Sequence, residues 1–167
     1  PLPDGGLTEL DMQYQTVNSG TAFGLQHENE NDSGDWRWHA SYNQSSSDEY
    51  RVPDSARDDE GNERLEHSDI ERSQELAIGS RYQLDNGHWD LSFGWLRSDF
   101  GLPGHAHHDD HEDEEEDVAE DDHEEESPAR VALVQRRVQT RLQLQQPLDW
   151  VDDLQWQLSL TDYQHQE

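Results

Sequence analysis

His105, His107, His108 and His111 place four imidazoles within seven residues, and an almost unbroken acidic run follows as far as Glu126. Neutral imidazole is a good zinc ligand, and four of them on one loop can converge on a single ion. His107 and His111 stand four apart, so a helical turn would set both rings on one face. His123 can join from the far side of the acidic run, while Asp109, Asp110, Glu112 and Asp113 offer oxygen ligands or partners that orient the imidazoles. Carboxylates alone recruit hard cations such as calcium; the imidazoles tip the expectation toward zinc or another divalent metal. An imidazole must be unprotonated to bind metal, and the free ring titrates near about 6.5, so capture should weaken in acid. The plain alternative is a solvated, self-repelling segment that is rich in His through composition alone.

The elements that position this segment must come from a chain with little material for a core. Of 167 residues 29% are hydrophobic, and the formal charge is -29, which argues against a compact soluble domain. Between Asp109 and Glu126 there are fourteen Asp or Glu, two His and no Arg, so much of the negative balance belongs to one segment. Such a surface repels phosphates, which excludes nucleic acid as a partner. With no cysteine, neither a disulfide framework nor a thiolate site can form. No nucleophile elbow, acid/base pair or phosphate-cradling glycine loop stands out, so no enzymatic activity is expected. The chain opens at Pro1 without an apolar leader, the mark of a processed protein or a piece of a larger one. No apolar run reaches the ~20 residues of a membrane helix.

Alternation with period two is the main structural signal. Trp89, Leu91, Phe93 and Trp95 share one face against Asp90, Ser92 and Gly94. Leu154, Trp156, Leu158 and Leu160 repeat the pattern, as do Trp36, Trp38, Ala40 and Tyr42, and a longer version runs from Arg130 to Gln146. Turn residues then divide the chain into an all-β antiparallel meander of seven strands: Thr8 to Val17, Thr21 to Asn29, Asp35 to Ser47, Asp69 to Leu84, His88 to Phe100, Arg130 to Gln146 and Asp152 to His165. Asn18-Ser19-Gly20, Asn31 to Gly34 and Asp85-Asn86-Gly87 carry residues that accept positive φ, and Pro147 should open the last short connection.

Two connections are long, 48–68 and 101–129, and both fall on one side of the meander. Short turns on one side and long loops on the other fit a transmembrane barrel with the long loops external. Twelve residues rising ~3.3 Å each at ~45° cover roughly 28 Å, enough to cross, and Trp36, Tyr82, Trp89, Trp150 and Tyr163 lie near strand ends, as interfacial aromatics do. A soluble sandwich that buries its apolar faces against each other is the rival. Seven strands in lipid would leave two open edges, so the expectation is one part of a larger closed barrel.

Phe100-Gly101-Leu102-Pro103-Gly104-His105 leading into a His-rich acidic loop resembles the zinc-uptake TonB-dependent receptors of Gram-negative outer membranes. Tyr50-Arg51-Val52-Pro53 with Glu63-Arg64-Leu65 is similar to that family's preceding long loop, and Asp162 to Glu167 to its strand exit after the His-rich loop. Leu2-Pro3-Asp4-Gly5-Gly6-Leu7 is similar to the junction between plug and first strands. The resemblance implies a monomeric barrel of about twenty-two strands in the cell outer membrane, with 1–167 a partial barrel domain that lacks the plug through which TonB acts. It also implies zinc or a related divalent ion as cargo. This loop departs from many relatives in having no Cys and unusually many carboxylates. A receptor for another metal or metal chelate, and a surface cation-binding or adhesive protein without transport, are the alternatives. In this reading the loop is a lure: negative potential concentrates cations, His and carboxylates hold them weakly, and deeper groups take over. His39 and Asp90, on the hydrophilic face, are candidate relay groups; His27, His67, His88 and His165 form no cluster.

Overall fold

A computed structural model describes residues 6–53, 63–103 and 130–166. They form one seven-stranded antiparallel sheet in which β1 (Leu7–Gln15), β2 (Gly20–Glu30), β3 (Trp36–Ser47), β4 (Ile70–Leu84), β5 (Gly87–Gly101), β6 (Arg130–Leu148) and β7 (Val151–Gln166) pair in sequence order. All seven expected strands form. The sheet is a meander that does not close: β1 and β7 are its two edges.

Three local differences from the sequence reading have physical causes. β1 stops at Gln15 rather than Val17, because Val17 and Asn18 bond elsewhere: their carbonyls accept from the Arg51 and Asp48 amides at 3.1 and 2.9 Å, and the buried Asn18 Oδ1 accepts from the Gly20 amide at 3.2 Å. β6 runs through Pro147 to Leu148 instead of stopping at Gln146. The register shifts between Gln145 and Leu148, with Gln146 at φ 46°, so the proline sits in an irregularity where its missing N–H leaves no gap in the ladder. The Asp85–Asn86 turn is made without positive φ, which among the described non-glycine residues occurs at Ser19, His67 and Gln146. Gly87 is needed there for another reason. A Cβ on it would collide with the Gln143 carbonyl of β6.

Register assigns the faces, since directly opposed residues share one. Trp36, Tyr82, Trp89, Leu142 and Trp156 form a row across β3 to β7. Ala40, Ile78, Phe93, Val138 and Leu160 form a parallel row on the same face, extended through His27 to Thr8. Between these rows lies Trp38-Ser80-Leu91-Thr140-Leu158. The opposite face carries Glu30-Arg37-Arg81-Asp90-Arg141-Gln157 and Glu28-His39-Gly79-Ser92-Gln139-Ser159. Among the described residues no hydrophobic side chain is buried; Trp89 is 47% and Leu160 61% exposed. The apolar face therefore meets no second layer among the described residues.

The short turns do not line up along a row of the register. Relative to the row through Trp36 and Trp156, β3 begins on it, β4 and β5 run two residues past it to Leu84 and Gly87, and β6 runs six past it to Leu148. From the β2–β3 turn to the β6–β7 turn the slip is about six residues over four strand intervals, roughly 20 Å along the strands against 19 Å across them. A plane through the turns is thus inclined to the register by about 45°.

The upper limit of the apolar face slips the same way. Its last members are Tyr14, Phe23, Tyr42, Leu76, Trp95, Val138 and Leu160, which stand ten residues above the reference row on β1 and four above it on β7. Beyond them the same face turns polar with Thr21, Gln44, Gln74, Arg97, Arg136 and Asp162. Val134 and Ala132 are apolar exceptions above Arg136. Six residues over six intervals is a slope of about 35°. Gly87→Ala tests the packing of β6 on β5: overpacking at the Gln143 carbonyl should cost about 1–3 kcal/mol, read as a lower urea midpoint of tryptophan emission.

Candidate functional site

His105, His107, His108, His111 and His123, with Asp109, Asp110, Glu112 and Asp113, all lie outside the described residues. What the fold does define is the stem on which their loop stands. Gly101, the last residue of β5, is paired with Arg130, the first of β6, so the two ends of the loop meet at a closed rung. Arg130 reaches across β5 to the foot of β4. Its Nη2 donates to Asp69 Oδ2 at 2.9 Å and to Glu71 Oε2 at 3.4 Å, and Nη1 approaches Asp69 Oδ1 at 3.5 Å. The Gly101 amide donates to the Asp69 carbonyl at 3.1 Å. Gly101 is buried, and a side chain there would strike the His67 carbonyl at 2.5 Å and Asp69 Oδ1 at 2.9 Å. The stem is therefore built from both long connections.

The described part of 48–68 is itself ordered by hydrogen bonds. Val52 and Leu65 amides donate to the Glu63 and Tyr50 carbonyls at 2.9 and 2.8 Å, around an Arg51–Arg64 bridge. Ser68 Oγ accepts from the Tyr50 amide at 2.8 Å, and Glu49 Oε1 accepts from the His67 amide at 3.0 Å. The segment thus returns to β4 through His67, whose φ is 58°, and delivers Asp69 to Arg130. No sequence motif marks Asp69 and Arg130; 61 residues separate them, and only the sheet order brings them together.

On the hydrophilic face, Asp90 is engaged rather than free. Arg81 Nε and Nη2 donate to its two oxygens at 2.6 and 3.0 Å, His88 Nε2 lies 3.6 Å away, and Arg141 is its partner on β6. His39 lies opposite Glu28 and covers Gly79, where a Cβ would collide with its ring. Asp90 and His39 fall on neighbouring rows and border one depression of the hydrophilic face, and among the described residues no group of three or more His, Asp or Glu could hold a metal ion. Arg37 pairs with Glu30 at 2.9 Å in the same row. These contacts make a charged rung across the hydrophilic face. His27, on the apolar face, bonds Thr8 Oγ1 through Nδ1 at 2.7 Å and meets the Trp38 ring at a tilt of 48° with centroids 5.0 Å apart, which satisfies it locally.

Compared with known proteins, the chain matches no family model and no curated protein.

Asp90→Asn should lower stability by up to about 1 kcal/mol, because the Arg81 pair is bidentate but half exposed, and leave zinc affinity of the intact protein unchanged. Isothermal titration alongside urea unfolding checks this; lost affinity at unchanged stability would make Asp90 a ligand.

Proposed function

We propose that this chain is part of the wall of a closed transmembrane β-barrel, an outer-membrane TonB-dependent receptor of a Gram-negative bacterium that takes up zinc or a related divalent metal. The observation that carries the barrel is the shared slope of the short turns and of the apolar limit. Barrel strands tilt by about 35–45°, so a membrane plane must cut obliquely across the register. Turns and apolar limit both do so, in the same sense. A core shared with a second sheet has no reason to stop along the line of the turns.

Several side-chain details support lipid contact. Nine residues of β4, Leu84 to Leu76, rise about 26 Å along the strand, or roughly 19 Å of height at that tilt. Aromatic rims at Trp36, Tyr82 and Trp89 below, and at Tyr14, Tyr42 and Trp95 above, extend this toward the ~25 Å apolar band of such barrels. An indole N–H facing hydrocarbon needs a partner. Trp36 Nε1 donates to Ser80 Oγ at 2.6 Å and Trp89 Nε1 to Thr140 Oγ1 at 2.7 Å, each across to the next strand. In a membrane the unpaired edges of β1 and β7 require further strands.

Within this reading the loop 101–129 stands on the external side and captures the ion with its His and carboxylate groups, which attract cations strongly and hold them weakly enough for release. The lumenal wall described here takes no part as a ligand cluster. TonB would act through a plug encoded outside these residues, the barrel would be a monomer, and no catalytic step is assigned.

Reconstituted into bilayers with brominated acyl chains, the intact protein should lose tryptophan emission, and Trp89→Phe, Trp95→Phe and Trp156→Phe together should remove much of that quenching; emission insensitive to bromine would reject the lipid-facing belt. Replacing His105, His107, His108 and His111 by Ala should weaken zinc binding at least about tenfold, and wild-type affinity should fall as pH drops through the imidazole range because protons compete for the ligands. Unchanged affinity in the fourfold variant would remove the loop's role.

A further inference from the structure

The end of β1–β3 nearest connection 48–68 holds a cavity of about 190 Å³. Its floor is hydrophilic-face sheet made of small residues: Ala22 opposes Gln13 and Ser45, Gly20 opposes Gln15, and Ser47 opposes Ile70. Gly20 is buried, and a Cβ there would stand 2.8 Å from Asn18 Oδ1, so glycine keeps the floor low. The walls are fixed by backbone contacts. The Asn18 carbonyl accepts from the Asp48 amide at 2.9 Å, and its Oδ1 accepts from the Gly20 amide at 3.2 Å. Tyr50 is held at both ends, its amide donating to Ser68 Oγ at 2.8 Å and its carbonyl accepting from the Leu65 amide at 2.8 Å. A site whose walls are already ordered spends little of a ligand's binding energy on ordering itself.

Two polar atoms on these walls lack partners. Asn18 is only 3% exposed, and with Oδ1 taken by Gly20 its Nδ2 keeps two N–H donors that meet no acceptor among the described residues. Ser47 Oγ is also shielded and makes no hydrogen bond there. Such groups are costly to leave unmet, so a fitting ligand carries both acceptors and donors. Charge narrows the class further. In a chain of which 31% is charged, no Asp, Glu, Lys, Arg or His lines this cavity, which gives metal ions and phosphorylated ligands no counter-charge. Ile70 and the exposed Tyr50 add a surface for C–H groups. Since a cavity of about 150 Å³ takes a benzene ring, this one has room for a single six-membered ring with polar substituents. The geometry points to a binding site for a small neutral polyhydroxylated ligand, a monosaccharide unit. Its hydroxyl oxygens accept from Asn18 Nδ2 and exchange hydrogen bonds with Ser47 Oγ, while its C–H face lies against Ile70 and Tyr50. The site is separate from the His-rich loop and needs no metal.

Saturation-transfer NMR of the intact protein, in phospholipid nanodiscs free of glycolipid, tests this with D-glucose, D-galactose and N-acetyl-D-glucosamine as probes. At least one sugar should receive transfer, with an affinity in the millimolar range. Asn18→Asp keeps the oxygen that caps Gly20 but turns the free donor into an acceptor, and should weaken binding about tenfold. Ser45→Leu fills the cavity without removing a hydrogen bond, and should abolish binding. A urea midpoint close to the parent's shows that each variant is folded, and either one alone suffices for the test. Chelation of metal by EDTA should leave sugar binding unchanged. No transfer to any of the three sugars in the parent protein overturns the site; so does binding that a folded variant retains in full, and so does binding that EDTA removes.

Discussion

Backbone hydrogen bonding between neighbouring strands holds this sheet together, because no apolar interior does so. Six ladders connect β1 to β7 in order, and no hydrophobic side chain among the described residues is buried. Each inner strand is then fixed by its register with two neighbours and each edge strand with one, and a one-residue slip would turn a whole strand's apolar side chains to the opposite face. The devices that pin register accordingly sit where ladders begin or change: Gly87 against the Gln143 carbonyl, Asn86 Nδ2 on the Gln145 carbonyl at 3.2 Å, and the irregularity at Pro147. A sheet that depends on ladders so completely also needs partners for β1 and β7.

The apolar surface gives the same sheet a direction that the ladders do not. Opposed residues define rows at right angles to the strands, yet both the short turns and the upper apolar limit descend across those rows from β1 toward β7. Two features of the chain, where it reverses and where its apolar face turns polar, thus slope in the same sense across the register. Charge changes along that boundary as well: Arg136 and Asp162 face each other at 3.5 Å immediately above Val138 and Leu160.

Strand count and order were legible in the sequence because alternation and turn residues are local signals. Trp89 to Trp95 and Leu154 to Leu160 needed no partner to be read as strands. Boundaries were legible only where local chemistry decides them. Val17 looked like strand and was taken by the distant Arg51 amide, and Pro147 looked like a turn and was absorbed by an irregularity in the β6–β7 ladder. The slope of the turns could not be read at all, since it exists only once six registers are known. Asp90 was read as a candidate relay group on the hydrophilic face; placing the two-residue turn at Asp85–Asn86 would have set it opposite Arg81, so the signal for its ion pair was present. Asp69 and Arg130 carried none. The His-rich loop was the plainest chemical feature of the sequence, and its ligand geometry lies beyond the described residues.

The strands continue well past the apolar limit. On β5 Gly101 is six residues beyond Trp95, and on β6 Arg130 is eight before Val138, a rise of about 14–19 Å at the inclination of the turns. At physiological ionic strength charges are screened over about 8 Å. With the apolar limit at the edge of a bilayer's hydrocarbon, the acidic segment would be rooted on a collar tall enough to clear the nearest anionic headgroups, so the two negative surfaces could coexist without either straining the other's hold on counterions.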